Sequence, residues 1–325
     1  MTGELPTGDL PAADPPAEDL PAENLGALAT ERSRPDLTDL DQWSTRRLVE
    51  LITGEDVAVA GAVHAEADRI AAVAELAVGC LDRGGRMIYG GAGTAGRLAV
   101  LDATELAPTY GVGADRVVAL LAGGPAAMTA AVEGAEDDTA AAAADLAALD
   151  PGPDDLVIAV SASGRTPYAC ALLVAARAAG AATASVANNP GSRLAALADV
   201  AIILDTGPEI VAGSTRMKAG TSQKMLLTAL STAVMVRLGK VHRNLMVDVA
   251  ATNVKLRVRA ERIVGEATGA EPDAVRSALD DAGGHAKTAI VALLAGVDAR
   301  RAAAALSAAG GRVARALTVA AGSTR

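Results

Sequence analysis

A chain of 325 residues, half of them apolar, can bury one large core with a smaller module beside it. Its formal charge of −10 and its scarcity of aromatic residues, one Trp, three Tyr and no Phe, argue against a nucleic-acid partner, which wants cations and stacking platforms. No apolar run reaches membrane-spanning length, and the N-terminus lacks the basic start and apolar core of an export signal, so a cytoplasmic chain with no membrane partner is expected.

Residues 1–28 are rich in Pro, Ala and acids and read as a disordered acidic tail. Two helical patterns follow between residues 45 and 83, with Leu48, Leu51 and Ile52 on the first and Val59, Val63, Ile70, Val73, Leu76 and Cys80 on the second. A short apolar run from Arg86 to Tyr89 then meets Gly90, Gly91, Gly93 and Gly96, with Thr94 placed to cap the next helix. Taken alone, such a loop binds a nucleotide, a flavin, a sugar phosphate or nothing.

From residue 85 to about 205 strand and helix alternate. Strands are predicted at 86–90, 116–121, 155–160, 183–186 and 200–204, with helices beginning near Thr94, Pro125, Thr166 and Ser192. This is the pattern of an α/β fold with a doubly wound parallel sheet, whose ligands sit at the carboxyl ends of the strands. A long helix is predicted over 214–238, then a helix over 253–264 and a small bundle of Ala-rich helices punctuated by glycines. The division is therefore a tail (1–28), N-terminal helices (29–83), the sheet domain (84–245) and a C-terminal helical region (246–325).

A second candidate loop follows the third strand. Ser161, Ser163, Gly164 and Thr166 open a helix and supply neutral donors that can wrap a phosphate, or merely an N-cap cluster. Two such loops on one sheet edge favour a phosphorylated ligand. Glu105 and Glu136 fall near that edge, the second just past a helix predicted over 125–134. They are either a pair of proton-transfer groups or solvated helix-end charges, and the neighbouring Glu133, Asp137 and Asp138 show how little acidity alone decides. Glu209, Ser214, Thr215, Arg216 and Lys218 at the start of the long helix offer an anion site or internal ion pairs. Cys80 and Cys170 stand apart as buried thiols, and His64, His242 and His285 make no ligand spacing, so neither a disulfide nor a metal is expected. No Ser-His-Asp or Cys-His order in a plausible context is present, which disfavours acyl transfer.

The stretches GAGTAGRLAVLDATELAPTYG (91–111), AVEGAEDD (131–138), SASGRTPY (161–168), NNPGS (188–192), GSTRMKAGTSQKMLLTALST (213–232) and GKVHRNLMVDVAATNVKL (239–256) together closely resemble the N-acetylmuramic acid 6-phosphate etherases, which carry a sugar-isomerase (SIS) domain. The likeness runs from about residue 30 to the C-terminus. It implies an enzyme that cleaves the D-lactyl ether of N-acetylmuramic acid 6-phosphate, a small-molecule substrate, by elimination and water addition, in recycling of cell-wall sugars. It further implies a homodimer with sites near its interface and no cofactor. By motif position Glu105 becomes the acid/base at the departing lactate and Glu136 the second acid/base, with Thr94, Ser161, Ser163, Gly164 and Thr166 holding the sugar phosphate. Ala95 departs from the family's GTSGR, where a serine stands. The same resemblance leaves two rivals on this fold: an aldose–ketose isomerase, separated by D-lactate release, and a non-catalytic phosphosugar sensor. Against the sensor stand the presence of Glu105, an acidic charge and the lack of a flanking helix-turn-helix.

Overall fold

The computed structural model describes residues 28–248 and 254–322; most of the acidic tail, Asn253 and part of the 239–256 motif lie outside the described residues. After three single 3-10 turns come helices α1 (Thr45–Ala65) and α2 (Ala67–Asp82). Then β1 (Met87–Gly91), α3 (Gly93–Tyr110), β2 (Val117–Leu121), α4 (Thr139–Ala147), β3 (Leu156–Ser161), α5 (Pro167–Ala178), β4 (Ala182–Ala187), α6 (Arg193–Ala196) and β5 (Val200–Ile203) alternate, before the long α7 (Lys218–Arg237).

All five strands form one parallel sheet in the order β2-β1-β3-β4-β5, so the chain winds outward in both directions from β1 and β3. Met87 and Tyr89 of β1, with Leu156, Ile158 and Val160 of β3, pack against α2, α3 and α7. Their neighbours Ile88, Val157 and Ala159 face the opposite layer, where Tyr168, Leu172 and Leu173 of α5 and Leu146 of α4 cover them. Burial on both faces explains why these strands are continuous apolar runs with no polar alternation. Each fully buried Leu or Ile contributes about 1.5–3 kcal/mol.

A two-residue antiparallel hairpin, β6 (Val241–His242) and β7 (Leu245–Met246), which the sequence pattern did not predict, leads to helices α8 (Val254–Thr268), α9 (Pro272–Asp281), α10 (Ala286–Ala295), α11 (Ala299–Ala308) and α12 (Val313–Gly322). These five helices close around their own core of small side chains, with Ile263, Ile290, Leu279 and Val313 at its centre.

Three local expectations change. The helix predicted from Pro125 is a single 3-10 turn, Gly124–Met128, and the α-helix between β2 and β3 begins only at Thr139. Arg97 is the reason: its guanidinium donates to the carbonyls of Ala127 (2.8 Å) and Ala130 (3.1 Å), acceptors an α-helix would use for its own ladder. Thr94 is not the cap of α3; Ala92 holds that position and makes no side-chain cap bond, so Thr94 lies inside the first turn. The helix predicted from Ser214 starts at Lys218, because the buried Glu209 carboxylate accepts from the Lys218 and Ala219 amides (3.0 and 2.9 Å) and fixes the N-terminus there.

Candidate active site at the carboxyl edge of the sheet

β1 delivers its chain into α3 through a close backbone approach. A Cβ on Gly91 would meet the Val160 carbonyl oxygen at 2.7 Å, and one on Gly96 would meet the Gly91 oxygen at 2.5 Å. Glycine at both positions therefore brings the first turn of α3 hard against the strand ends, where its leading amides have no intrahelical partner. Thr94 sits in that turn beside α7: a Cβ on Gly220 would lie 3.2 Å from the Thr94 methyl.

From the end of β3, the 161–166 loop is a knot of neutral hydrogen bonds. Ser161 Oγ lies 2.8 Å from Thr166 Oγ1 and 3.3 Å from Ser163 Oγ, and it accepts from the Gly164 amide at 3.0 Å, while Ser163 Oγ accepts from the Arg165 amide at 3.2 Å. Gly164 has φ +68, and a Cβ there would collide with Ser192 at 2.4 Å, so only glycine lets the loop close against α6. Thr166 precedes α5 as its cap residue, with its hydroxyl turned to Ser161 and not to the helix amides. These hydroxyls and the starts of α3 and α5 face one edge and carry donors suited to a phosphate.

The NNPGS motif braces this loop from behind. The Asn188 amide donates to the Ala162 carbonyl at 3.0 Å, and the Leu194 amide donates to Gly164 at 2.9 Å. Asn188's buried carboxamide bonds Leu204, Ser222 and Gln223, tying the ends of β4 and β5 to α7.

Glu136 occupies a 3-10 turn, Ala135–Asp137, that packs on α5 and folds back against Gly123 at the end of β2; it is exposed and on the same sheet edge as the two loops. Glu105 does not join them within one chain. It lies eleven residues beyond Thr94 on α3, about 16 Å along the helix axis, in an open groove between α3 and α7. That groove, about 340 Å³, is lined by Leu98, Leu101, Asp102, Glu105, Lys224 and Ser231 among others. Asp102, one turn before Glu105, accepts from Tyr89 Oη and Ser231 Oγ, both at 3.0 Å. Burial pushes its carboxyl up to about 6, against the pull of these two hydrogen bonds and the Lys224 charge.

At the start of α7, Lys218 is paired internally, while Arg216 is exposed. Lys218 donates to Glu55 at 2.8 Å, Arg34 pairs with the same carboxylate, and Glu209 fills the leading amides of the helix. Sequence reasoning missed Asp102, which carried no signal beyond its place in LDATE, and Thr30. Thr30 is fully buried against Asn189, a contact across 159 positions that no local pattern reveals.

Two family models match the chain: the glucokinase regulatory protein N-terminal SIS domain over residues 68–177 and the SIS domain over 129–233. The N-acetylmuramic acid 6-phosphate etherase of Deinococcus radiodurans is 52% identical over 282 residues, 87% of this chain and 92% of that protein. Those of Mycolicibacterium smegmatis (53% identical; 89% of this chain, 97% of that protein) and Rubrobacter xylanophilus (53%; 85% and 93%) are equally similar. With a five-stranded SIS sheet, its loops at the carboxyl edge and this similarity along nearly the whole chain, the protein belongs to the N-acetylmuramic acid 6-phosphate etherase family.

Proposed function

We propose that this chain hydrolyses the D-lactyl ether of N-acetylmuramic acid 6-phosphate, as a carbon–oxygen lyase, to N-acetylglucosamine 6-phosphate and D-lactate. The observation that carries the reading is identity of about half the residues with etherases over most of the chain, joined to a carboxyl edge furnished with neutral phosphate donors. The 91–96 and 161–166 loops, through Thr94, Ser161, Ser163, Gly164 and Thr166, hold the phosphate. In the open-chain aldehyde the proton on carbon 2 is acidified by the neighbouring carbonyl. Glu136, as carboxylate, removes it; Glu105, as carboxylic acid, protonates the ether oxygen on carbon 3; and the carbon–oxygen bond breaks to release D-lactate. Water then adds its oxygen at carbon 3 of the unsaturated sugar and a proton returns to carbon 2.

Because one chain separates Glu105 from the loops, the proposed enzyme is a homodimer in which the second copy lends its Glu105 to each site. Glu105 lies in the open groove between α3 and α7, and that groove is where the second copy would dock. A cytoplasmic role in cell-wall sugar recycling accompanies this reading; among the described residues no helix is long and apolar enough to cross a membrane.

The test is turnover of N-acetylmuramic acid 6-phosphate in oxygen-18 water. D-lactate release with label at carbon 3 of the sugar is expected. Unlabelled sugar contradicts elimination and hydration, and absence of D-lactate contradicts the etherase reading itself.

A further inference from the structure

The segment just before α1 is built into the candidate site in a way no helix or strand requires. Its first 3-10 turn, Ala29–Glu31, contains Thr30, and all three polar groups of Thr30 make tertiary hydrogen bonds. The Thr30 amide donates to Asn189 Oδ1 at 3.4 Å, its hydroxyl accepts from Asn189 Nδ2 at 3.0 Å, and its carbonyl accepts from the Gly213 amide at 3.0 Å. Thr30 is 0% and Asn189 2% exposed. Asn189 Nδ2 donates a second time, at 3.0 Å, to the carbonyl of Ala162, which also receives the Asn188 amide. Ala162 is the second residue of the 161–166 loop, flanked by Ser161 and Ser163.

A chain of hydrogen bonds thus runs from Thr30 through one carboxamide into the loop. Glu31 follows on the other side, its carboxylate against Gly213, whose φ of +76 favours glycine. Burying an Asn with both amide protons directed at chosen acceptors fixes its orientation, and with it the peptide that receives them.

We infer that Thr30 is a positioning residue for the phosphosugar site: through Asn189 it holds the Ala162 carbonyl, and so sets the aim of the Ser161, Ser163 and Thr166 hydroxyls. This deepens the reading of that loop as the phosphate site and rests on it. Thr30 itself touches no ligand in this account. Loss of its hydroxyl removes one of the two acceptors of Asn189 Nδ2 and loosens the hold on the loop, a change that falls on ligand affinity and leaves the chemical step alone.

Three variants in the full chain test this: Thr30→Val, which keeps shape and removes the hydroxyl; Thr30→Ser, which restores it; and Asn189→Ala. For D-lactate release, Thr30→Val is expected to raise KM roughly two- to tenfold with kcat within about twofold, the range of one lost hydrogen bond, and Thr30→Ser to return KM to the parent value. A role in stability alone predicts a lowered Tm with KM unchanged in Thr30→Val, and that result overturns the inference. A second readout needs no turnover: the rise in Tm on adding inorganic phosphate is expected to shrink in Thr30→Val and Asn189→Ala, and equal rises in parent and variants count against it. Should the parent respond to phosphate and Thr30→Val not, while the parent releases no D-lactate, the etherase reading fails and the positioning role stands.

Discussion

The first turn of α3 and the stretch from Asp102 to Glu105 face different tasks. At the start, glycines press the helix against the strand ends, and the hydroxyls and amides of the adjoining loops are neutral and bonded among themselves. Three turns on, the same helix presents two carboxyl groups, Asp102 and Glu105, to an open groove beside Lys224. Anion binding needs preorganised neutral donors that cost little to desolvate; proton transfer needs ionisable groups whose affinity for a proton is set by surroundings. In the proposed site the two requirements are three turns apart on one rigid rod, which is why it takes its second carboxyl from a second copy.

The largest effect expected from breaking this arrangement is on turnover. Glu105→Gln and Glu136→Gln should each lower the rate of D-lactate release by about 10²–10⁴, the usual weight of a positioned acid or base. Mixing the two dead variants under conditions that exchange subunits then gives dimers in which one of the two sites has both native glutamates. About a quarter of the parent activity is expected on equal mixing, since half the dimers are mixed and each has one competent site of two. A mixture that stays as inactive as its components places both glutamates in one subunit, contrary to the proposal.

Stability carries the next effect. The Asp102 carboxyl is raised to about 6 from an ordinary 3.8, chiefly by burial, so the folded chain holds that proton more tightly than the unfolded chain does. The stabilisation is complete below about pH 4 and is lost as pH rises through about 6, amounting to about 3 kcal/mol at most. Asp102→Asn cannot ionise and still offers an acceptor to the Tyr89 hydroxyl. It should melt above the parent at pH 8 and lose that advantage at pH 4.5. An equal Tm difference at both pH values removes the burial account of Asp102.

How far the sequence foretold these regions follows from the same contrast. β1 and β3 are legible because burial on both faces leaves uninterrupted apolar runs, and the 161–166 loop because its hydroxyls and glycine cluster in six residues. The segment after β2 is illegible for the opposite reason: Pro125 and the alanines suit a helix, and only Arg97, nearly thirty residues back, withdraws the carbonyls a helix would need. Thr30 and Asn189 are further still from any local signal. Glu105 is readable as a helix residue with a motif around it, and its distance from Thr94 follows from eleven residues of unbroken helix between them.

Ala95 offers the smallest and most discriminating test of the first turn of α3. It is the third residue of the helix, and Cα–Cβ bonds in a helix tilt toward its N-terminus. A hydroxyl there is directed at the same end as the free amides and the Thr94 side chain, although Ala95 itself is only 6% exposed and joins the apolar layer under α7. Ala95→Ser should therefore add one donor to the proposed phosphosugar site and lower KM by roughly two- to tenfold, with kcat unchanged. An unchanged KM with a lowered Tm would instead show that the new hydroxyl finds only the core, and that the phosphate lies nearer the 161–166 loop than the start of α3.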